Sequence, residues 1–293
     1  MQQRSLARML KFAYKNFYLF IALLSIIWSL SNSGQNHISN KTEYVFAEPD
    51  SLLDTKSLNE VKLRNLKKYR LHTNSKKRQS GTGTAFYIGS GMWLTARHVI
   101  NKCQKVLIKE KSNQYLVEKI VIHPNSDLAI FWHSTTNKPN KFSISSNVSP
   151  SSFVSGFPGG NPGDAALSLA GFMAMEQRRY NILEKHTIFA VIERHPQYLD
   201  SFGGISGGPS FDSSGNLNGV VVAEFVRRGL LAAVTTKQIS WLIAATKKGT
   251  YFPKYFESVH ERNLMVSVNP DSFQSIGKKL RKEGTISQLF CIA

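Results

Sequence analysis

The sequence predicts an all-β protein of short antiparallel strands that close on themselves, with one helix after them. Three observations carry that expectation. Apolar runs rich in Val, Ile, Phe, Tyr and Trp follow one another between residues 80 and 235. Turns rich in glycine, serine and asparagine separate them at hairpin spacing. The 3.6-residue period of an amphipathic helix is scarce until residues 235–246, where Ile239, Leu242 and Ile243 fall at i, i+3 and i+4.

The strands can be taken in order. Residues 84–88 (TAFYI) are β-branched and aromatic and lie between glycines. Gly89-Ser90-Gly91 turns the chain, and residues 92–95 return. Residues 105–110 (KVLIKE), 115–123 (YLVEKIVIH) and 127–132 (DLAIFW) follow, which fills a first barrel over 80–146. Residues 152–157, 165–175, 187–193, 207–211, 217–223 and 230–235 supply a second over 147–235. Residues 212–216 (DSSGN) are a hairpin turn by composition.

The densest chemical signal is Gly203-Gly204-Ile205-Ser206-Gly207-Gly208-Pro209. Glycine loses the most conformational freedom on folding, so four around one hydroxyl ask for a reason. A glycine turn can aim the amides of Gly204 and Ser206 at one point, which is the arrangement that holds developing negative charge in acyl transfer. A nucleophilic serine also needs a base, and the base an orienting carboxylate. Upstream stand Thr95-Ala96-Arg97-His98 and Asp127-Leu128-Ala129-Ile130. Asp127 opens an apolar strand, where a lone carboxylate is expensive unless hydrogen-bonded or paired. His123 lies close to Asp127 in sequence but lacks the Thr-Ala frame. His133, His186 and His195 have no frame and are expected at the surface.

Together these residues resemble the chymotrypsin-like (trypsin-fold) serine peptidases, especially the bacterial members. The T-A-x-H motif stands as Thr95 to His98, D-L-A-hydrophobic as Asp127 to Ile130, and G-x-S-G-G-P as Gly204 to Pro209. The G-aromatic-P element stands as Gly156-Phe157-Pro158. The resemblance spans roughly residues 80 to 248 and neither end. It implies two six-stranded antiparallel β-barrels with a C-terminal helix over 235–246, and a serine endopeptidase acting on protein or peptide. In that reading Ser206 is the nucleophile, His98 the base and Asp127 its orienting carboxylate. The Gly204 and Ser206 amides form the oxyanion hole, and no cofactor is needed.

The resemblance also speaks to specificity. If the serine loop keeps the family length, Asp200, six residues before the serine, falls at the base of the primary specificity pocket and favours Arg or Lys there; the rival readings are a small-residue preference, and an Asp200 exposed in a turn with Glu224 pointing outward. The opposite wall comes from residues 220–224, with Glu224 near the place where many relatives have glycine. Glu224 either fills the pocket or adds a second acid. Ile205 stands where zymogen-activated members carry an aspartate, which implies no activation through a new N-terminus.

The flanks differ in character. Residues 1–33 begin with four basic residues and no acid, then an uncharged apolar run over 17–30 and a polar Ser-Asn-Ser-Gly. That is the layout of a secretory signal. Residues 12–30 also read as a retained membrane anchor, with Lys15 snorkelling to the interface. Either way the remainder is exported, to the periplasm or beyond. Residues 34–79 read as a basic linker. The first 80 residues hold 14 Lys/Arg against 5 Asp/Glu, half of the chain's net +18. A solvated tether or contact with an anionic membrane surface suits that charge. No nucleic-acid-binding signature accompanies it.

Residues 249–293 lie beyond the resemblance, with a short basic helix expected over 272–283. The two cysteines, Cys103 and Cys291, stand far apart, and the sequence does not say whether they pair. No His/Cys/Asp set has metal-ligand spacing. Two other classes fit part of the pattern: a catalytically silent peptide-binding module of this fold, and a basic membrane-surface adaptor. Neither has a chemical need for all three motif residues.

Overall fold

The computed structural model describes residues 41–48, 63, 66–70, 80–135, 139–248 and 262–293. The apolar run 17–30, and with it the signal or anchor expected over 1–33, lies outside the described residues, as does most of the basic linker.

The expected all-β architecture is present, but of the two expected six-stranded barrels one closes and the other is a half-barrel. In the second half, six strands follow in chain order: β9 (Ser151–Gly156), β10 (Gly163–Gln177), β11 (Ile182–His195), β12 (Pro209–Phe211), β13 (Leu217–Phe225) and β14 (Leu230–Thr235). They pair in the order β11-β14-β13-β12-β9-β10, and β10 pairs back onto β11, so this barrel closes. Helix α2 (Thr236–Lys248) follows at the expected place and buries Ile239, Trp241 and Leu242.

The first half is built differently. Its own strands are β3 (Gly81–Gly89), β4 (Met92–Ala96), β5 (Lys105–Glu110), β6 (Asn113–Leu116), β7 (Lys119–Ile122) and β8 (Leu128–Trp132). The strand expected over 115–123 is two strands, because β6 pairs with β5 at one edge of the sheet while β7 pairs with β8 towards the other. Two further segments complete an eight-stranded sheet. β1 (Glu43–Phe46) lies parallel to β7. β15 (Ile286–Ile292) inserts between β3 and β5, with Gln288 opposite Thr84 and Leu289 opposite Ile108. A third short strand, β2 (Lys68–Arg70), runs parallel to β10 on the second sheet. Sheet edges present unpaired N–H and C=O groups, and short flanking segments satisfy them.

Residues 262–293 are therefore structural. The helix expected over 272–283 is α3 (Phe273–Lys282), which buries Phe273 and Leu280. Its Gly277 lies against the Asp164 carboxyl, where a Cβ would collide. Arg281 grips the same carboxylate with two parallel bonds of 2.6 and 2.8 Å. Cys103 and Cys291 form a disulfide, with 5.4 Å between their Cα atoms.

Candidate active site

Strand β4 ends at Ala96, and the chain enters α1 (Arg97–Ile100), a single helical turn that holds His98. Asp127 stands just before β8, which is antiparallel to β4 with Leu128 opposite Ala96. That register brings the histidine and the aspartate together. The Arg97 amide donates to the Asp127 carbonyl at 3.1 Å. The His98 amide donates to Asp127 Oδ1 at 2.8 Å, and His98 Nδ1 meets Oδ2 at 2.7 Å. Asp127 is 1% exposed, while the His98 side chain is 35% exposed. Burial alone would push the Asp127 carboxyl up. The His98 charge, and hydrogen bonds from His98 and Gln177, outweigh it and hold the carboxyl below its ordinary range.

The serine loop is clamped onto the first sheet. Thr84 receives it twice: its amide donates to Ser206 O at 2.9 Å, and its hydroxyl donates to Gly204 O at 3.0 Å. Gly207, at φ +89°, packs on Thr84 O, Thr95 Oγ1 and the Ala96 amide, where a Cβ would collide. This places Ser206 beside the strand end that delivers His98. The side chain of Ile205 is buried among Val154, Phe189, Phe202 and Val221. An apolar anchor thus holds the loop at the position where zymogen-activated relatives carry an aspartate.

The amides beside the serine are arranged by a second contact. The Gly159 amide donates to Gly203 O at 2.5 Å. In a trans peptide the N–H points opposite to the C=O. The Gly203–Gly204 peptide therefore turns its N–H away from Gly159. Gly204 sits at φ +100°, with Phe157 O and Gly159 N too close to admit a Cβ. Neither the Gly204 amide nor the Ser206 amide has a hydrogen-bond partner among the described residues.

The two acids read as pocket residues do not meet. Asp200 is exposed and makes no hydrogen bond or ion pair among the described residues. Glu224 is half-buried, and its Oε2 accepts from Ser201 Oγ and from the Phe202 amide, both at 2.8 Å. Its carboxylate fastens the loop just before Gly203.

The remaining histidines correct one expectation. His133 and His186 are not surface residues. His133 is half-buried beside Glu110, its Nε2 3.3 Å from Oε2. His186 is fully buried because its strand faces the first sheet. His195 is exposed as expected. His123 is buried against Trp241 at a ring separation of 4.3 Å, and burial pushes it down to about 3. A base must be able to reach solvent and substrate, and His98 alone of these stands in contact with Asp127.

Sequence reasoning missed the residues behind the aspartate. Gln177, at the end of β10, donates to Asp127 Oδ2 at 2.9 Å. Glu184, near the start of β11, accepts from Ser126 Oγ and at 3.4 Å from the Asp127 amide. Nothing in the local sequence marks either one. Among the described residues no group of three or more His, Cys, Asp or Glu could hold a metal.

Residues 83–220 match the family profile of the trypsin-like peptidase domain. The matched span contains His98, Asp127 and Ser206. Solved protease structures align with it at low identity. The Rv3671c protease from M. tuberculosis in its active form is 20% identical, with 56% of this chain and 72% of that chain covered and a TM-score of 0.47. The HtrA-type protease AlgW with decapeptide is 20% identical over 58% of this chain and 53% of that chain, with a TM-score of 0.46. The serine endoprotease from Yersinia pestis is 21% identical over 57% and 58%, with a TM-score of 0.40. None of the curated protein sequences compared with the chain matches it significantly.

Proposed function

We propose that the protein is an exported serine endopeptidase that works through an acyl-enzyme. The observation that carries the reading is the His98–Asp127 contact of 2.7 Å next to a clamped, glycine-framed serine. Ser206 attacks the scissile carbonyl. His98 takes the hydroxyl proton and returns it to the leaving amine. Asp127 holds the imidazole in the tautomer that carries its proton on Nδ1, and stabilises the imidazolium that forms. The unpartnered amides of Gly204 and Ser206 receive the oxyanion. This chemistry uses side chains and backbone only.

Export is supported by the basic and apolar start of the sequence and by the Cys103–Cys291 disulfide, since such bonds persist in oxidising compartments. The basic stretch before residue 80 suits an anionic membrane surface, and the substrate is protein or peptide. Asp200 remains the acid free to favour Arg or Lys before the scissile bond, because Glu224 is engaged by Ser201 and Phe202.

A fluorophosphonate probe tests the reading, because it labels only an activated serine. Wild-type protein should be labelled, and Ser206→Ala should lose labelling and turnover on the order of 10⁶-fold. Full activity in that variant would sink the assignment. In the same assay, a peptide library should show a basic preference that Asp200→Ser weakens. An unchanged profile would remove Asp200 from the pocket.

A further inference from the structure

The hydrogen bonds on Asp127 are unevenly distributed. Three donors reach its two oxygens. Two belong to the same residue, the amide and the ring of His98. Both come from the turn that carries the base itself. Among the described residues, Gln177 is the one donor to this carboxylate that is independent of His98. It comes from the other half of the molecule.

The element that delivers it is the β10–β11 hairpin. β10 pairs with β9 only over 163–168, and β11 pairs with β14 only over 186–190. Beyond those stretches the two strands pair with each other out to Gln177 and Ile182, flanked by β2. The projecting part crosses to the first sheet. Its inner face is buried: Met175, Gln177, Glu184 and His186 are all 7% exposed or less. At its tip the Tyr180 ring carries the Arg97 guanidinium at 4.1 Å. Arg97 immediately precedes His98, so the hairpin touches the site on both sides of the pair.

Glu184 stiffens the same contact from behind. It takes the Ser126 hydroxyl and the Asp127 amide, so the backbone at Asp127 is held as well as its side chain. Burial, joined by the Asp127 charge and opposed by the Ser126 hydrogen bond, pushes Glu184 up to about 8. His186, pushed down to about 4 by burial, faces it with Nδ1 3.1 Å from the Glu184 carbonyl and Nε2 3.6 Å from its carboxyl. A neutral carboxyl against a neutral imidazole leaves Asp127 as the sole anion of this cluster at neutral pH.

We infer that the β10–β11 hairpin is a positioning element for the His98–Asp127 pair, with Gln177 as the positioning residue that fixes the plane of the Asp127 carboxylate. The inference rests on the peptidase reading above, but its test need not. An aspartate left to rotate would carry the imidazole with it, and a base displaced from the serine hydroxyl loses rate steeply.

The test is Gln177→Met, which keeps the side-chain length and removes the donor, with Gln177→Ala beside it should the thioether pack badly. Each is compared with wild type for kcat, KM, fluorophosphonate labelling rate and the proton resonance of His98 Nδ1. The expected result is a kcat lower by about tenfold to a hundredfold, a labelling rate lower in parallel, an unchanged KM and a shifted or exchange-broadened Nδ1 proton. A kcat within twofold of wild type in either folded variant would overturn the inference. So would an Nδ1 resonance identical to that of wild type. The resonance reads the pair directly, so it answers even if the wild-type protein cleaves no peptide and takes no probe. That last result would sink the peptidase reading alone.

Discussion

The two β-sheets of the molecule are assembled by different routes. The second is made of strands that are consecutive in sequence, and it closes through the β10–β11 pairing. The first places β15 between β3 and β5, so that Leu289 O accepts from the Thr82 hydroxyl at 3.0 Å across 207 residues. A barrel of local strands gains its closure from hairpins whose loops cost little entropy. A sheet that imports a distant strand must fasten it, and here the fasteners are visible. The disulfide joins β15 to Cys103, two residues before β5. Gln288 reaches Thr82 Oγ1 and Gly160 O. The Arg281–Asp164 pair fixes the helix that precedes the strand.

That contrast can be broken most severely by removing residues 286–292. β3 and β5 would then lose their common neighbour and expose Val106, Phe86 and Leu94, all buried in the intact protein. The expected outcome is loss of the cooperative thermal transition followed by circular dichroism, together with all probe labelling. A deletion variant that melts cooperatively near the wild-type temperature would show that the first sheet does not depend on β15.

A milder break is Cys103→Ser with Cys291→Ser. The bond closes a loop with a sequence separation of 188. Its removal should cost about 2–5 kcal/mol of stability in denaturant unfolding. The same cysteines report on compartment. Alkylation of protein taken directly from cells should find both blocked, and free thiols in the folded protein would count against export.

The smallest expected effect sharpens the comparison at the seam between the sheets, where Glu184 and His186 lie. Glu184 is held at about 8 against an ordinary 4.5, so between those values the folded state keeps a proton that the unfolded chain gives up. Stability from this group falls as pH rises through that window, by ~1.4 kcal/mol per pH unit at most, and levels off above 8. His186 at about 4 and His123 at about 3 work in the other sense. The unfolded chain binds their protons up to about 6.5, so stability from them rises with pH to that value. These three groups together should place a stability maximum near pH 6.5. Urea unfolding across pH 4–9 checks it, and Glu184→Gln should flatten the alkaline side. A decline of the same slope in that variant would assign it elsewhere.

Much of this was readable in the residues. Each strand of the second barrel announced itself because its apolar run is flanked by its own turn, as in 209–211 and 217–225 around Asp212-Ser213-Ser214-Gly215-Asn216. The His98, Asp127 and Ser206 motifs were legible because their neighbours are constrained too: Gly207 must lack a Cβ to lie on Ala96, and Thr95 must carry a hydroxyl to reach Thr84 O at 2.7 Å. Gln177 and Glu184 were not legible. Their roles come from where a hairpin of the second barrel crosses to the first, and no local pattern encodes that. The full burial of His186 has no local signature for the same reason. Nor has β15, whose ISQLFCI could be a strand anywhere and whose place depends on a gap left between β3 and β5.

The position of β15 also sets a schedule. In a chain made from its N-terminal end, every strand of the second barrel exists once residue 235 has been added. The first sheet must wait for residue 286, a delay of about 3–10 s at ordinary rates of synthesis. Until then His98 and Asp127 sit on a sheet with an open seam, while the loop that holds Ser206 already has its own barrel beneath it. The part of the site that appears first in the sequence is thus the part whose scaffold is finished last.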